Sequence, residues 1–349
     1  MAVCLNRKGP PPMNNSYSIK SRRRTPWDQS SCRTATQEFI RAENLDHYNQ
    51  KHRSLRDTNE ADLLNSFELT CCRLCGSTNI KKDGFDRNGV RVYYCNECRH
   101  KFSVTTGTIF QDHKIPVTEW IEYERNLFQH ESLTAGSWNN KNSFTTAKYW
   151  FKKTCLLLTD YSEDVVAGNH VYEDETFVTV RREDLILKEN GQKLRGLSPN
   201  QICVAFATDD DGHVYGTILG SGKPSQKKIN EGFRKHIKYG SDFSHDSDTA
   251  HARLIRELGL ISHAYNSKAL KKLDDKDNPL NPINQVHNRF QKLLRAHSGF
   301  MREDLNDYLN LFLFMENGPK DKLEKVEILL NLAFQKCEIL KYRKLFPHE

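Results

Sequence analysis

The chain has 349 residues, 37% of them hydrophobic and 28% charged, with a formal net charge of +7 and ten cysteines. That is the balance of a soluble globular protein of about two or three domains. A membrane-spanning run of roughly 18 apolar residues is excluded, and no apolar secretory core stands at the N-terminus, so an intracellular protein is expected, with thiols that bind metal rather than pair as disulfides. The mild excess of basic charge permits a polyanionic partner without requiring one.

Residues 1–66 begin with "GPPPMNNS" and "SRRR", where basic residues outnumber acidic ones and apolar periodicity is absent until "TQEFIRAENL". This reads as a basic, largely flexible arm with one short helix. Residues 67–112 follow with the most specific spacing in the chain. Cys72-x2-Cys75 and Cys95-x2-Cys98 flank "DRNG", a hairpin turn, and "VRVYYC", an alternating strand. Each Cys-x2-Cys pair forms a tight turn that aims both sulfurs at one ion, and two such turns complete a tetrahedral Cys4 zinc site. Four thiolates leave no open position, so the zinc is expected to be structural. Cys71 stands one residue too far from Cys75 to replace Cys72, and His100 reads as an exposed neighbour. Lys81, Lys82, Arg87, Arg91, Arg99 and Lys101 give this segment a basic surface suited to nucleic acid.

Residues 113–162 turn helical. "PVTEWIEYERNLF" places Trp120, Tyr123 and Leu127 on one face, "SLTAGSWN" follows, and "SFTTAKYWFKKTCLLL" brings Tyr149, Lys152 and Lys153 together. Three helices with a basic last one have the form of a helix-turn-helix reader; an all-helical connector gives the same pattern.

Residues 163–318 open with the strand "HVYEDETFVTV", whose centre is Glu173, Asp174 and Glu175. A solvated edge and a metal site both account for acids there. Glu173 and Glu175 point away from the Asp174 face and are expected to be exposed, with Glu175 able to support the site indirectly. A strand over 202–207, a turn at Asp209, Asp210, Asp211 and Gly212, and a return strand over 214–219 come next. Then follow a helix, a short strand ending at Asp246, a helix capped by Asp248 and stopped at Gly259, another short strand, and the helix "NPINQVHNRFQKLLRAH". His251 is expected to run along its helix and not to bind a metal. The order βββαβαβα is the mixed α/β, ribonuclease-H-like pattern, in which the first and fourth strands are neighbours. Asp174 and Asp246 would therefore converge. Residues 319–349 carry one more helix with an apolar stripe, either closing the domain or making a dimer contact.

The combination of the Cys4 ribbon, "DET", "HDSDTAHARLI", "NPINQVHNRFQKLLRAHSGF" and "LNDYLNLFLF", in that order over residues 66–316, resembles bacterial insertion-sequence transposases. These join a zinc ribbon and a helix-turn-helix to a ribonuclease-H-like domain with an Asp-Asp-Glu or Asp-Asp-Asn triad. The resemblance implies Asp174, Asp246 and Asn288 as the triad, with His287 the alternative at the third position. Phe290 stands where the family often has a basic residue. It further implies structural Zn²⁺, catalytic Mg²⁺ or Mn²⁺, and double-stranded DNA (terminal inverted repeats and target) as partner. A homo-oligomer on DNA, no membrane, and a cytoplasmic, nucleoid-associated location in a bacterium are implied as well. An uncharged Asn288 would weaken metal affinity and favour Mn²⁺ or high Mg²⁺. A zinc-ribbon transcription or replication factor without catalysis, or a ribonuclease-H-like nuclease, remains an alternative.

Overall fold

The computed structural model describes residues 5–7, 35–36, 39–40, 60–140, 142–194, 196–270, 272–297 and 300–341. Most of the basic arm, including "GPPPMNNS" and "SRRR", lies outside the described residues; 35–36 and 39–40 are helical. Among the described residues no helix is long and apolar enough to cross a membrane. The chain forms two compact units, one of residues 158–319 and one of residues 1–157 together with 320–349.

In the first of these, β6 (His170–Thr179), β7 (Gln201–Asp209) and β8 (Val214–Ser221) form an antiparallel meander, while β9 (Asp242–Asp246) and β10 (Ile261–Tyr265) run parallel to β6. The order β10-β9-β6-β7-β8 puts the first and fourth strands of this unit side by side, as expected. β7, the near-continuous apolar run "ICVAFAT", is buried on both faces. On one face Val171, Cys203, Ala205 and Phe243 pack with Ile229 and Phe233 of α5 (Gln226–Phe233) and Leu254 of α6 (Ala252–Leu258). On the other, Phe206 meets Phe290 of α8 (Asn281–Ala296) and Phe312 of α9 (Leu305–Asn317) at 5.1 and 5.6 Å between ring centroids. Gly216 on β8 makes this possible, because a Cβ there would lie 2.6 Å from the Phe206 ring. Between β10 and α8 lies the one-turn helix α7 (Ser267–Leu270).

Local chemistry accounts for the junctions. Asp248 accepts from the Ala250 N–H at 3.0 Å and caps the turn into α6, which ends at Gly259 in the left-handed conformation. The acidic run after β7 is a turn, as read. The buried Asp209 carboxylate accepts from the backbone N–H of Gly168 and His213, at 3.0 and 2.9 Å, and Gly212 takes φ +86°.

The other unit contains the cysteine hairpin, with β3 (Ile80–Phe85), β4 (Arg91–Cys95) and β5 (Lys101–Phe102) in one sheet. β1 (Leu5–Arg7) pairs antiparallel with β2 (Phe67–Leu69), so part of the expected flexible arm is ordered against the chain just before the cysteines; α1 (Glu60–Asn65) precedes β2. Three helices follow, α2 (Val117–Leu127), α3 (Leu133–Asn139) and α4 (Phe144–Leu158). The C-terminal helix α10 (Lys322–Gln335) settles here and not on the sheet: Phe334 packs on Phe67 and Phe110 at 4.4 and 5.4 Å.

Lys153 and Glu124 are among the polar groups buried in these helices. Lys153 is only 4% exposed, over the Tyr149 ring at 4.5 Å, and burial pulls its pKa down to about 8. It therefore adds no exposed charge to the helix that reads as basic in the sequence. Glu124, fully buried, accepts from the Thr154 hydroxyl, and burial pushes its pKa up to about 8. A carboxyl raised in the folded state contributes its full stability below pH 4.5 and loses it as pH rises towards about 8. Glu124→Gln should therefore flatten the pH dependence of the melting temperature and stabilise the chain at pH 8 by about 2 kcal/mol, once the unmet amide N–H is subtracted. Thermal melts of both proteins at pH 6 and pH 8 check this; equal slopes would refute it.

Candidate functional site

The parallel register of β6 and β9 pairs His170 with Asp242, Val171 with Phe243 and Tyr172 with Ser244. The ladder ends there; its register continued by two residues would set Asp174 level with Asp246. Because strand side chains alternate, both belong to the same face, on strands about 4.8 Å apart. The two carboxylates are 72 positions apart in the chain, yet the Asp246 charge acts on Asp174, and β6 is internal, not an edge. Burial, the Glu173 charge and the charge of Asp246 push the Asp174 carboxyl up to about 7. A divalent cation between Asp174 and Asp246 would offset that repulsion, and the oxygen donors suit Mg²⁺ or Mn²⁺.

Helix α8 borders this pair. His287 Nε2 lies 3.2 Å from the backbone carbonyl of Asp174, and Gln291 donates to the Thr176 hydroxyl at 3.3 Å. Burial holds His287 down near 4, so it is a neutral ring. Asn288, one position on, is exposed, and Arg289 beyond it forms a bidentate pair with Glu316. Asn284, half-buried, lies on the helical stripe of His287 and Gln291 at spacings of three and four. The structure thus turns Asn288 outward and Asn284 towards β6. Phe290 sits at 0% exposure in the core, which explains its apolar identity.

Glu173 and Glu175 depart from expectation. Both do point to the face opposite Asp174, but that face is packed by α5 and α6. Glu173 is fully buried and Glu175 largely so. Burial and the Glu173 charge push Glu175 up to about 8. His251 is fully buried against them. Burial would lower its pKa, but the charges of Glu173 and Glu175 outweigh this and raise it to about 10. The only sequence signal was position: a histidine at the start of a helix that follows the strand bearing Asp246.

The cysteine cluster forms as its spacing requires. Cys72 and Cys98 Sγ lie 3.7 Å apart and Cys75 and Cys95 Sγ 3.6 Å apart, and all four fall within 4.8 Å. A tetrahedral centre with bonds of about 2.3 Å sets its sulfurs about 3.8 Å apart, so the donor set fits zinc. The two turns match: Gly76 N–H donates to Cys72 O and Arg99 N–H to Cys95 O, both at 2.9 Å, with Gly76 and Arg99 both at positive φ. Cys71 is disulfide-bonded and does not compete, although a disulfide departs from the expectation of wholly reduced thiols. The basic surface is smaller than a count suggests. Lys82 pairs with Glu68 at 2.5 Å and Lys101 with Asp83 at 2.7 Å, while Arg91 stacks on Phe85.

No family model and no curated protein matches this sequence. Among solved structures the chain is similar to a pre-cleavage Mos1 transpososome (11% identity, TM-score 0.24) and to a Mos1 transposase paired-end complex with left transposon end (16%, 0.27). It is also similar to a Mos1 mariner paired-end complex with Mn (14%, 0.26); each match covers 62% of this chain and 77% of the other. Likeness at that level fixes neither fold nor activity.

Proposed function

We propose that this chain is a DNA transposase of the Asp-Asp-Asn type, cutting the ends of its element to leave 3′-hydroxyls and joining them to target DNA. The observation that carries the reading is the parallel pairing of β6 with β9, with Asp174 within electrostatic reach of Asp246. Divalent ions at such a pair supply an activated water or 3′-hydroxyl and stabilise the leaving oxygen. Asp174, partly enclosed on β6, and Asp246, at the end of β9, would hold the ions. The neutral His287 ring fixes α8 to the Asp174 backbone. The third ligand is assigned to this turn of α8, with Asn284 favoured over Asn288 by helical phase. The cysteine cluster is assigned structural zinc, and with the three helices after it the role of gripping double-stranded DNA ends; a homo-oligomer then pairs two ends.

The test is incubation of the full chain and Mn²⁺ with DNA carrying the sequences that flank its gene. Nicking at the element boundary followed by joined products is expected. Cleavage without joining would point to a nuclease, and binding without cleavage to a transcription or replication factor. Within the same assay Asn284→Ala should reduce nicking at least about a hundredfold and Asn288→Ala less than about threefold. The reverse order would return the third position to Asn288.

A further inference from the structure

The sheet face turned away from Asp174 holds a polar group that strand cleavage does not use. Glu173 and His251 are each 0% exposed, among Val171, Ala205, Phe243 and Leu254. His251 reaches β6 from the turn Thr249–His251 that leads into α6. Its Nε2 lies 2.5 Å from a Glu173 oxygen and 3.9 Å from Glu175 Oε1. Yet the other Glu173 oxygen, Oε1, has no hydrogen-bond partner. Donor atoms of three enclosed side chains thus converge, and one carboxylate oxygen among them is unsatisfied where buried polar groups are ordinarily paired.

We propose that Glu173, Glu175 and His251 hold a divalent transition-metal cation behind the catalytic pair. One donor atom from each lies within 4.8 Å of the other two. An imidazole with two carboxylates suits Zn²⁺ or Mn²⁺ better than Mg²⁺, which prefers an all-oxygen shell. The ion would tie the centre of β6 to the start of α6. Through His251, whose Nδ1 lies 3.8 Å from Asp246 Oδ1, it would also steady the strand end that carries Asp246. The site needs no cleavage activity, so it stands apart from the transposase reading.

The experiment is Mn²⁺ binding to the full-length, zinc-loaded Asp174→Asn/Asp246→Asn protein, followed by electron spin-echo detection of nitrogen coupled to the bound Mn²⁺. One tightly bound ion with imidazole coupling is expected. His251→Gln should abolish the coupling and weaken binding at least about tenfold, while His287→Ala leaves both unchanged. Should the His251 variant fail to fold by circular dichroism, Glu175→Gln keeps the buried Glu173–His251 pair, and its binding should fall by a similar factor. An uncoupled ion, coupling that survives His251→Gln, or binding unchanged by Glu175→Gln overturns the site, whatever the cleavage assays show.

Discussion

Asp174→Asn should lower the rate of end nicking at least about a thousandfold, equivalent to about 4 kcal/mol of transition-state stabilisation, while binding to the same DNA ends stays within about threefold. Asp246→Asn should behave alike. The two losses should not add in the double variant, because either carboxylate alone leaves the metal site incomplete. The separation of binding from cutting follows from the architecture: the two aspartates lie on the five-stranded sheet, whereas the cysteine hairpin and the three helices belong to the other unit. Loss of fold is not the expected cause. Burial and the Glu173 charge already push the Asp174 carboxyl up to about 7, so an uncharged isostere suits its surroundings. Gel-shift and nicking assays on one DNA, with a melting curve for each variant, read all three quantities. An Asp174→Asn protein that nicks at the wild-type rate would end the transposase reading and favour the DNA-binding factor.

Removing a cysteine ligand should have the largest effect on stability. Cys95 is fully buried in β4, and its sulfur lies 3.6 Å from that of Cys75. β3 exposes four of its six residues, and beside the cysteines the small sheet buries chiefly Tyr93 and Phe102, stacked at 5.7 Å. Structural zinc contributes on the order of 10 kcal/mol to domains of this kind, mostly as folding free energy. Cys95→Ser should reduce bound zinc from about one equivalent per chain to a small fraction and open residues 72–102 to proteolysis. The 158–319 unit should keep its melting transition. A strong chelator should do the same to the wild type and be reversed by added Zn²⁺. A variant that keeps its zinc and its protease resistance would show that the four sulfurs do not act as one site.

Several features were legible in residue order because short-range chemistry governs them. The Cys-x2-Cys spacing dictates its turn, Asp248 caps its own helix, the Asp-rich segment before Gly212 is a turn, and Val286, Phe290, Leu293 and Leu294 mark the buried stripe of α8 by period alone. The alternation of elements also indicated that the first and fourth strands of the sheet would meet. Other features were set by what lies on the far side of each element. The phase of α8 against β6 turned Asn284 inward and Asn288 outward, and one residue of helix is a rotation of about 100° that no local pattern fixes. Lys153 reads as basic surface in sequence, yet it is enclosed by the Tyr149 and Phe110 rings. Glu173 and Glu175 are charged residues at alternate positions, which locally describes a solvated face. Only the packing of α5 and α6 over that face buried them, and only then did His251 become their partner. Local spacing therefore determined the turns and the caps, and the order of elements the adjacency of β6 and β9. Tertiary packing decided which charges stayed in water, because burial depends on residues distant in the chain.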